Sequence, residues 1–277
     1  MVGQFLKEYL NRAGNYIETN KFSYLDSGNC IFCKTDFLQE DFNRIENLNK
    51  KVIVLSGNSD YPIDQWHVEN APKNLFKFYG QNVLCKDPRF IPVPMGVESS
   101  VVAKRGINHG VFYDRSKDLQ DLLISYSEDQ KDVSKASKFI YANYSVYTNQ
   151  NHRQEILDFI GNIDYINWSH GKSTIDFHKD ILDHRITLCP AGNGVDTHRL
   201  WEVIYLNRIP LTIKTGDYAI YYDLYKHLPI IILDSIEELA DFDYIHSLYE
   251  KVKYNSTEKA YFDYWKNIII AESKSLN

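Results

Sequence analysis

Short apolar runs rich in β-branched residues recur along this chain: "VIVL" at 52–55, "ITLC" at 186–189, "IPLTI" at 209–213 and "PIIIL" at 229–233. A strand that is apolar at every position has both faces covered, and helices cover both faces of parallel sheets. Segments with helical apolar spacing lie between the runs, among them "NQNHRQEILDFIG" at 149–161 and "STIDFHKDILDHR" at 173–185. Strands alternating with helices predict an α/β chain with parallel sheets. The polar stretch "YSEDQKDVSKASK" at 126–138 separates two such series. The expectation is therefore two Rossmann-like, doubly wound domains, residues 1–130 and 131–277, facing each other across a cleft. The closing helix in "STEKAYFDYWKNIIIAESK" is free to pack back on the first domain. Within the first series, "APKNLFKFYG" predicts a short helix, "NVLC" a short strand and "RFIPVPMGVE" a strand ending at Gly96. Gly161 is expected to cap the helix before it.

Composition narrows the function. With 277 residues, 44% hydrophobic and 25% charged, the chain has a globular, soluble composition able to bury a core. A formal net charge of −6 argues against a nucleic-acid binder, which is usually basic. Four cysteines are too few and too scattered for a disulfide framework, and the Cys30–Cys33 CxxC spacing has no second pair to complete a zinc site. The start, "MVGQFLKEYLNRAG", is amphipathic with Lys7 and Glu8 inside it, unlike a signal peptide. No run reaches the ~20 apolar residues that a spanning helix needs. A cytoplasmic location without membrane insertion is expected, in the host cytoplasm for a viral protein.

The segment with most chemistry is "ITLCPAGNGVDTHRLWE" at 186–202. It reads as a buried strand, a turn containing Gly192 and Gly194, then a helix beginning near Asp196 or Thr197, both good N-cap residues. Glycines allow backbone angles that a Cβ forbids. A strand–turn–helix of this kind aims backbone N–H groups and a positive dipole end at one spot, which suits an anion such as a nucleotide diphosphate. No Gly-Lys-Ser/Thr follows, so this is not a P-loop, and it is not GxGxxG. His198, Arg199 and Glu202 stand three and four residues apart and can share one side of the helix.

These residues carry a resemblance. "LCPAGNGVDTHRLWEVIYLNRIPLTI" resembles the C-terminal signature of exostosin-like glycosyltransferases, in which a Pro-x-Gly-x-Gly turn precedes an Arg-x-x-Glu helix. "NLFKFYGQNVLCKDPRFIPVPMGVE", "FIYANYSVYTNQNHR" and "FDYWKNII" resemble further stretches of that family, over roughly residues 50 to 270. The xylosyltransferases of large algal viruses resemble the chain most in size. The resemblance implies a GT-B fold and inverting transfer of a sugar from a nucleotide-diphosphate donor, a UDP-sugar such as UDP-xylose, to a glycan hydroxyl. It implies that Glu202 accepts from the ribose hydroxyls, and that Arg199, Gly192, Asn193 and Gly194 hold the diphosphate. It further implies that Asp196 or Thr197 faces the donor sugar, while Arg153 adds a second cation. His198 either contacts phosphate or sugar, or caps and packs. Two other functions suit the same residues: a nucleotide-sugar epimerase or hydrolase on this fold, and a non-catalytic sugar-binding module.

No metal or other cofactor is expected. Asp241-Phe-Asp243 has the Asp-x-Asp spacing that holds Mg²⁺ or Mn²⁺ in other sugar transferases, but it sits far from the glycine turn in a solvated loop pattern. The helix dipole and Arg199 can stabilise a departing diphosphate instead. An inverting transfer also needs a base. With the donor on the second domain, the base is expected on a first-domain loop at a strand's carboxyl end. Asp60, in the "GNSD" stretch that resembles the family's Asn-Ser-Asp, is the first choice; Asp64, His67 and Glu98 are the others.

Overall fold

The computed structural model describes residues 15–98, 119–216 and 219–276; the amphipathic segment read at 1–14 lies outside them. The chain is an α/β protein with two sheets of parallel strands. Strands β1 (Cys30–Lys34), β2 (Val52–Gly57), β3 (Leu75–Gly80) and β4 (Phe90–Pro92) form the first, in that spatial order. Strands β5 (Lys138–Ala142), β6 (Ile166–Trp168), β7 (His184–Leu188), β8 (Ile209–Ile213) and β9 (Ile231–Leu233) form the second, in the order β6-β5-β7-β8-β9. Among the described residues the α-helices are α1 (Leu38–Glu46), α2 (Gln65–Glu69), α3 (Leu119–Ser125), α4 (Glu128–Lys131) and α5 (Gln150–Ile160). They continue with α6 (Thr174–Asp183), α7 (His198–Tyr205), α8 (Ala219–Tyr225), α9 (Phe242–Val252) and α10 (Phe262–Ser275). No helix among the described residues is long and apolar enough to cross a membrane.

The second sheet is covered on both faces. Ile140, Ile186, Leu188 and Leu211 pack with Ile156 and Ile160 of α5 and Ile245 of α9. Tyr141 and Cys189 face the other way, toward Phe177 and Ile181 of α6 and Leu200 and Trp201 of α7. Its strand order reverses between β5 and β7, as in doubly wound sheets. The first sheet runs in one direction, so right-handed crossovers place its own helices on one face. Alternation along β2 sends Val52 and Val54 toward Leu38, Phe42 and Ile45 of α1. Ile53 and Leu55 point the opposite way, into a cluster with Tyr79 and with Trp265 and Ile269 of α10. The Tyr79 hydroxyl donates to the Glu272 carboxylate at 2.7 Å. The far end of the chain therefore covers the first sheet's second face.

Several local expectations change. "LFKFYG" is strand β3, not a helix, because it pairs with β2 on one side and β4 on the other and is buried on both faces. "NVLC" makes only a bridge, Val83 with Ile63. β4 ends at Pro92 rather than at Gly96; Pro92 and Pro94 have no N–H to continue a ladder. The expected linker is folded into α4, with Ser127 as its N-cap, followed by a 3-10 turn over Val133–Lys135. Gly161 follows α5 at φ −59°, so it is not a left-handed cap.

Candidate functional site

Loops from the carboxyl ends of both sheets face one another. Where the order reverses in the second sheet, the loop after β5 carries Ser145 and Thr148, and the loop after β7 carries residues 192–197. Such a switch point opens a crevice. Opposite stand Asp60, after β2, and Met95 and Glu98, after β4. Together these residues, Val195 excepted, line a cleft of about 270 Å³ that also receives Arg153, His198, Arg199 and Glu202. The volume is close to the lower end of small-molecule pockets, ~300 Å³.

The glycine turn is tight. Gly192 N–H donates to Gly194 O at 2.9 Å, so that amide is committed within the turn. Neither glycine has a positive φ. Crowding is the constraint instead: a Cβ on Gly192 would lie 3.1 Å from Arg153 Nη2, and one on Gly194 would lie 2.7 Å from Asn82 Oδ1, so that amide would have to shift. The expected need for unusual backbone angles is thus replaced by a need for close approach, to an arginine on one side and to the opposite wall on the other.

Arg153, on α5, is 4% exposed and sits beneath this turn. Its Nε donates to Ala191 O at 2.9 Å, Nη2 to Pro190 O at 3.0 Å, and Nη1 to Ser145 O at 2.7 Å and to Thr148 Oγ1. The guanidinium lies over the Tyr144 ring. Burial, and then the nearby Arg199 charge, lower its pKa to about 10. Arg153 therefore shapes the loops after β5 and β7 while adding positive charge below them. Arg199 lies over the Phe177 ring of α6, 5.4 Å from its centroid.

Helix α7 starts with Thr197 in an extended conformation, but the Thr197 side chain makes no capping bond. Asp196, expected at the cap or facing a sugar, is turned inward and is 2% exposed. Its carboxylate accepts from Met95 N at 2.8 Å, Thr197 N at 3.0 Å, Trp201 Nε1 at 2.9 Å, Tyr221 OH at 2.6 Å and Tyr225 OH at 2.7 Å. Burial pushes this carboxyl above its ordinary pKa, against the pull of those donors. Asp196 ties α7 and α8 to the segment after β4. Fully buried Trp201 anchors the helix; burying a side chain of that size stabilises by roughly 2–3 kcal/mol. Since His198, Arg199 and Glu202 share the helix with Trp201, that anchor also fixes how they are presented to the cleft.

Glu202 reaches the cleft from α7 although it is only 3% exposed. Its Oε2 lies 3.3 Å from Nε2 of His178, a fully buried residue of α6. His178 was not among the expected site residues. Asn82 was also missed: it takes a left-handed φ of 51°, donates to Ser59 O at 3.1 Å, and abuts Gly194. Gln81 next to it receives Asn58 N at 2.9 Å and donates to Thr19 O at 3.2 Å, which sets the first-sheet wall.

Of the expected bases, Asp60 is exposed and its Oδ2 accepts from Asn193 Nδ2 at 3.2 Å. Glu98 is 6% exposed, and its Oε2 lies 3.4 Å from His198 Nε2. The other ring nitrogen of His198, Nδ1, lies 2.7 Å from Gly96 O. Asp64 and His67 stand elsewhere: Asp64 caps α2, accepting from Trp66 N, with His67 Nδ1 at 2.8 Å. Asp241 caps α9, accepting from Tyr244 N at 2.9 Å. No protein-family model matches the chain, and no curated protein matches it.

Proposed function

We propose that the chain is an inverting glycosyltransferase that moves a sugar from a UDP-sugar to a glycan hydroxyl, with its two sheets as the halves of a GT-B fold. The observation that carries this reading is the meeting of Arg153, Arg199, the glycine turn and the start of α7 at one wall of the cleft. Two guanidinium groups that raise each other's cost, beside a helix N-terminus, favour a multiply charged anion between the walls. A nucleoside diphosphate is such an anion. Glu202, backed by His178, offers a carboxylate for the ribose hydroxyls. As the bond to the sugar breaks, Arg199 and the α7 dipole stabilise the departing charge without a metal.

The test is UDP binding by thermal shift and calorimetry, on the wild type and on Glu202→Ala. UDP at ~100 times its dissociation constant stabilises the fold by about 2.7 kcal/mol. Removing Glu202 is expected to weaken UDP binding by about 1.5–3 kcal/mol, the usual contribution of a charged hydrogen-bonding group. A wild type that UDP does not stabilise sinks the proposal.

A further inference from the structure

We infer that Glu98 and His198 act as one proton-accepting pair that takes the proton of the acceptor hydroxyl; the inference rests on the transferase reading above. The main chain decides the tautomer. Gly96 O, 2.7 Å from Nδ1, can only accept, so Nδ1 carries a hydrogen. A neutral His198 then presents the lone pair of Nε2 to Glu98 Oε2 at 3.4 Å. Two lone pairs facing each other repel, whereas one proton placed between them converts the repulsion into a charge-assisted hydrogen bond. A proton that Glu98 takes from an acceptor hydroxyl can therefore be passed to Nε2 of His198.

Its position suits that role. Glu98 and His198 line the main cleft and also a side cavity of about 30 Å³, bordered by Thr19, Asn58 and Gln81. That is room for one hydroxyl group or one water. Asn58 borders that cavity, and its Oδ1 is buried without a hydrogen-bond partner. Glu98 comes from the first-sheet wall and His198 from the start of α7, next to Arg199. An acceptor oxygen at Glu98 therefore faces a donor held at the glycine turn. Asp60 borders both spaces as well, but it is exposed and held by Asn193.

The step balances within the pair. The acceptor O–H bond breaks as its oxygen bonds to the anomeric carbon. The bond from that carbon to the diphosphate breaks, and its electron pair leaves on the phosphate. The proton moves to Glu98 and on to Nε2 of His198, whose side chain is 28% exposed and returns it to solvent.

The experiment measures UDP release from a panel of UDP-sugars with water as acceptor, and the UDP thermal shift, on the full chain. Glu98→Gln preserves the packing, because its amide N–H donates to Nε2 while Nδ1–H stays on Gly96 O. Glu98→Gln is expected to lower UDP release by about 10²–10⁴-fold, with the UDP thermal shift unchanged. Nitrogen-15 spectra of wild-type histidines are expected to show the Nδ1–H form for neutral His198. UDP release by a UDP-stabilised Glu98→Gln within threefold of wild type overturns the pair and leaves the transferase reading intact; a neutral ring with its hydrogen on Nε2 does the same. A wild type that neither binds UDP nor releases it from any UDP-sugar overturns the transferase reading and this inference with it.

Discussion

Asn193 and Asp60, 133 residues apart in sequence, meet across the mouth of the cleft: Nδ2 of Asn193 donates to Oδ2 of Asp60 at 3.2 Å. The bond joins the glycine turn of one wall to the loop after β2 of the other. It is exposed, so its net contribution is modest. A double-mutant cycle with Asn193→Ala and Asp60→Ala is expected to give a coupling of about 0.5–1 kcal/mol in unfolding free energy. Strict additivity would mean that the two walls are not linked there in solution.

Arg153 holds its loops through a planar fork, and a lysine keeps the charge without the fork. Arg153→Lys loses the paired contacts to the Ala191 and Pro190 carbonyls. Expected is a tenfold loss of UDP affinity, about 1.4 kcal/mol, with the fold retained. Calorimetric titration with UDP decides; equal affinity would show that charge alone matters.

Asp196→Ala leaves Met95 N–H, Trp201 Nε1–H and two tyrosine hydroxyls facing a hole. Buried donors left without an acceptor cost ~1–3 kcal/mol each, less than additively. The loss in urea unfolding is expected to be about 3–5 kcal/mol. A loss below about 1 kcal/mol would show that the carboxylate is not the hub of that network.

Lys21 supplies a pH dependence. It is 1% exposed, donates to Tyr16 O, and lies 5.4 Å from the Phe262 ring centroid. Burial, outweighing the attraction of Glu18 and Asp263, lowers its pKa from 10.5 to about 8. Below pH 8 the folded chain bears the full cost of a buried ammonium. Between pH 8 and 10.5 the unfolded chain still holds that proton while the folded chain has lost it, so stability rises with pH. Relative to Lys21→Met, the wild type is expected to gain about 2–3 kcal/mol across that window. Urea unfolding at several pH values checks this; a flat difference refutes it.

Much of the second half was legible in the sequence. Strand β7, the glycine turn and α7 follow from an apolar run, two glycines and helical spacing, and the residues quoted there do line the cleft. What stayed hidden depends on partners distant in sequence. Asp196 looks like a cap until Met95, 101 residues before it, and Tyr221, 25 residues after it, close around the carboxylate. His178 is one histidine between Phe177 and Lys179 in a helix, and only the fold sets it against Glu202. Strand β3 was misread because Leu75, Phe76, Phe78 and Tyr79 satisfy helical spacing as well as a doubly covered strand. The reason for Gly194 lies in Asn82 across the cleft, where no local pattern could show it.

The closure of the first sheet by α10 has a consequence for how the molecule is made. Tyr79 and Glu272 are 193 residues apart, and a ribosome adds roughly 5–20 residues each second. For ten seconds or more, by that rate, Ile53, Leu55 and Tyr79 wait for α10, partly covered only by nearby segments such as that of Phe22. The first sheet, made before α10, is thus finished only once α10 arrives, and a nascent chain stalled before Phe262 presents a sticky apolar plane to its neighbours.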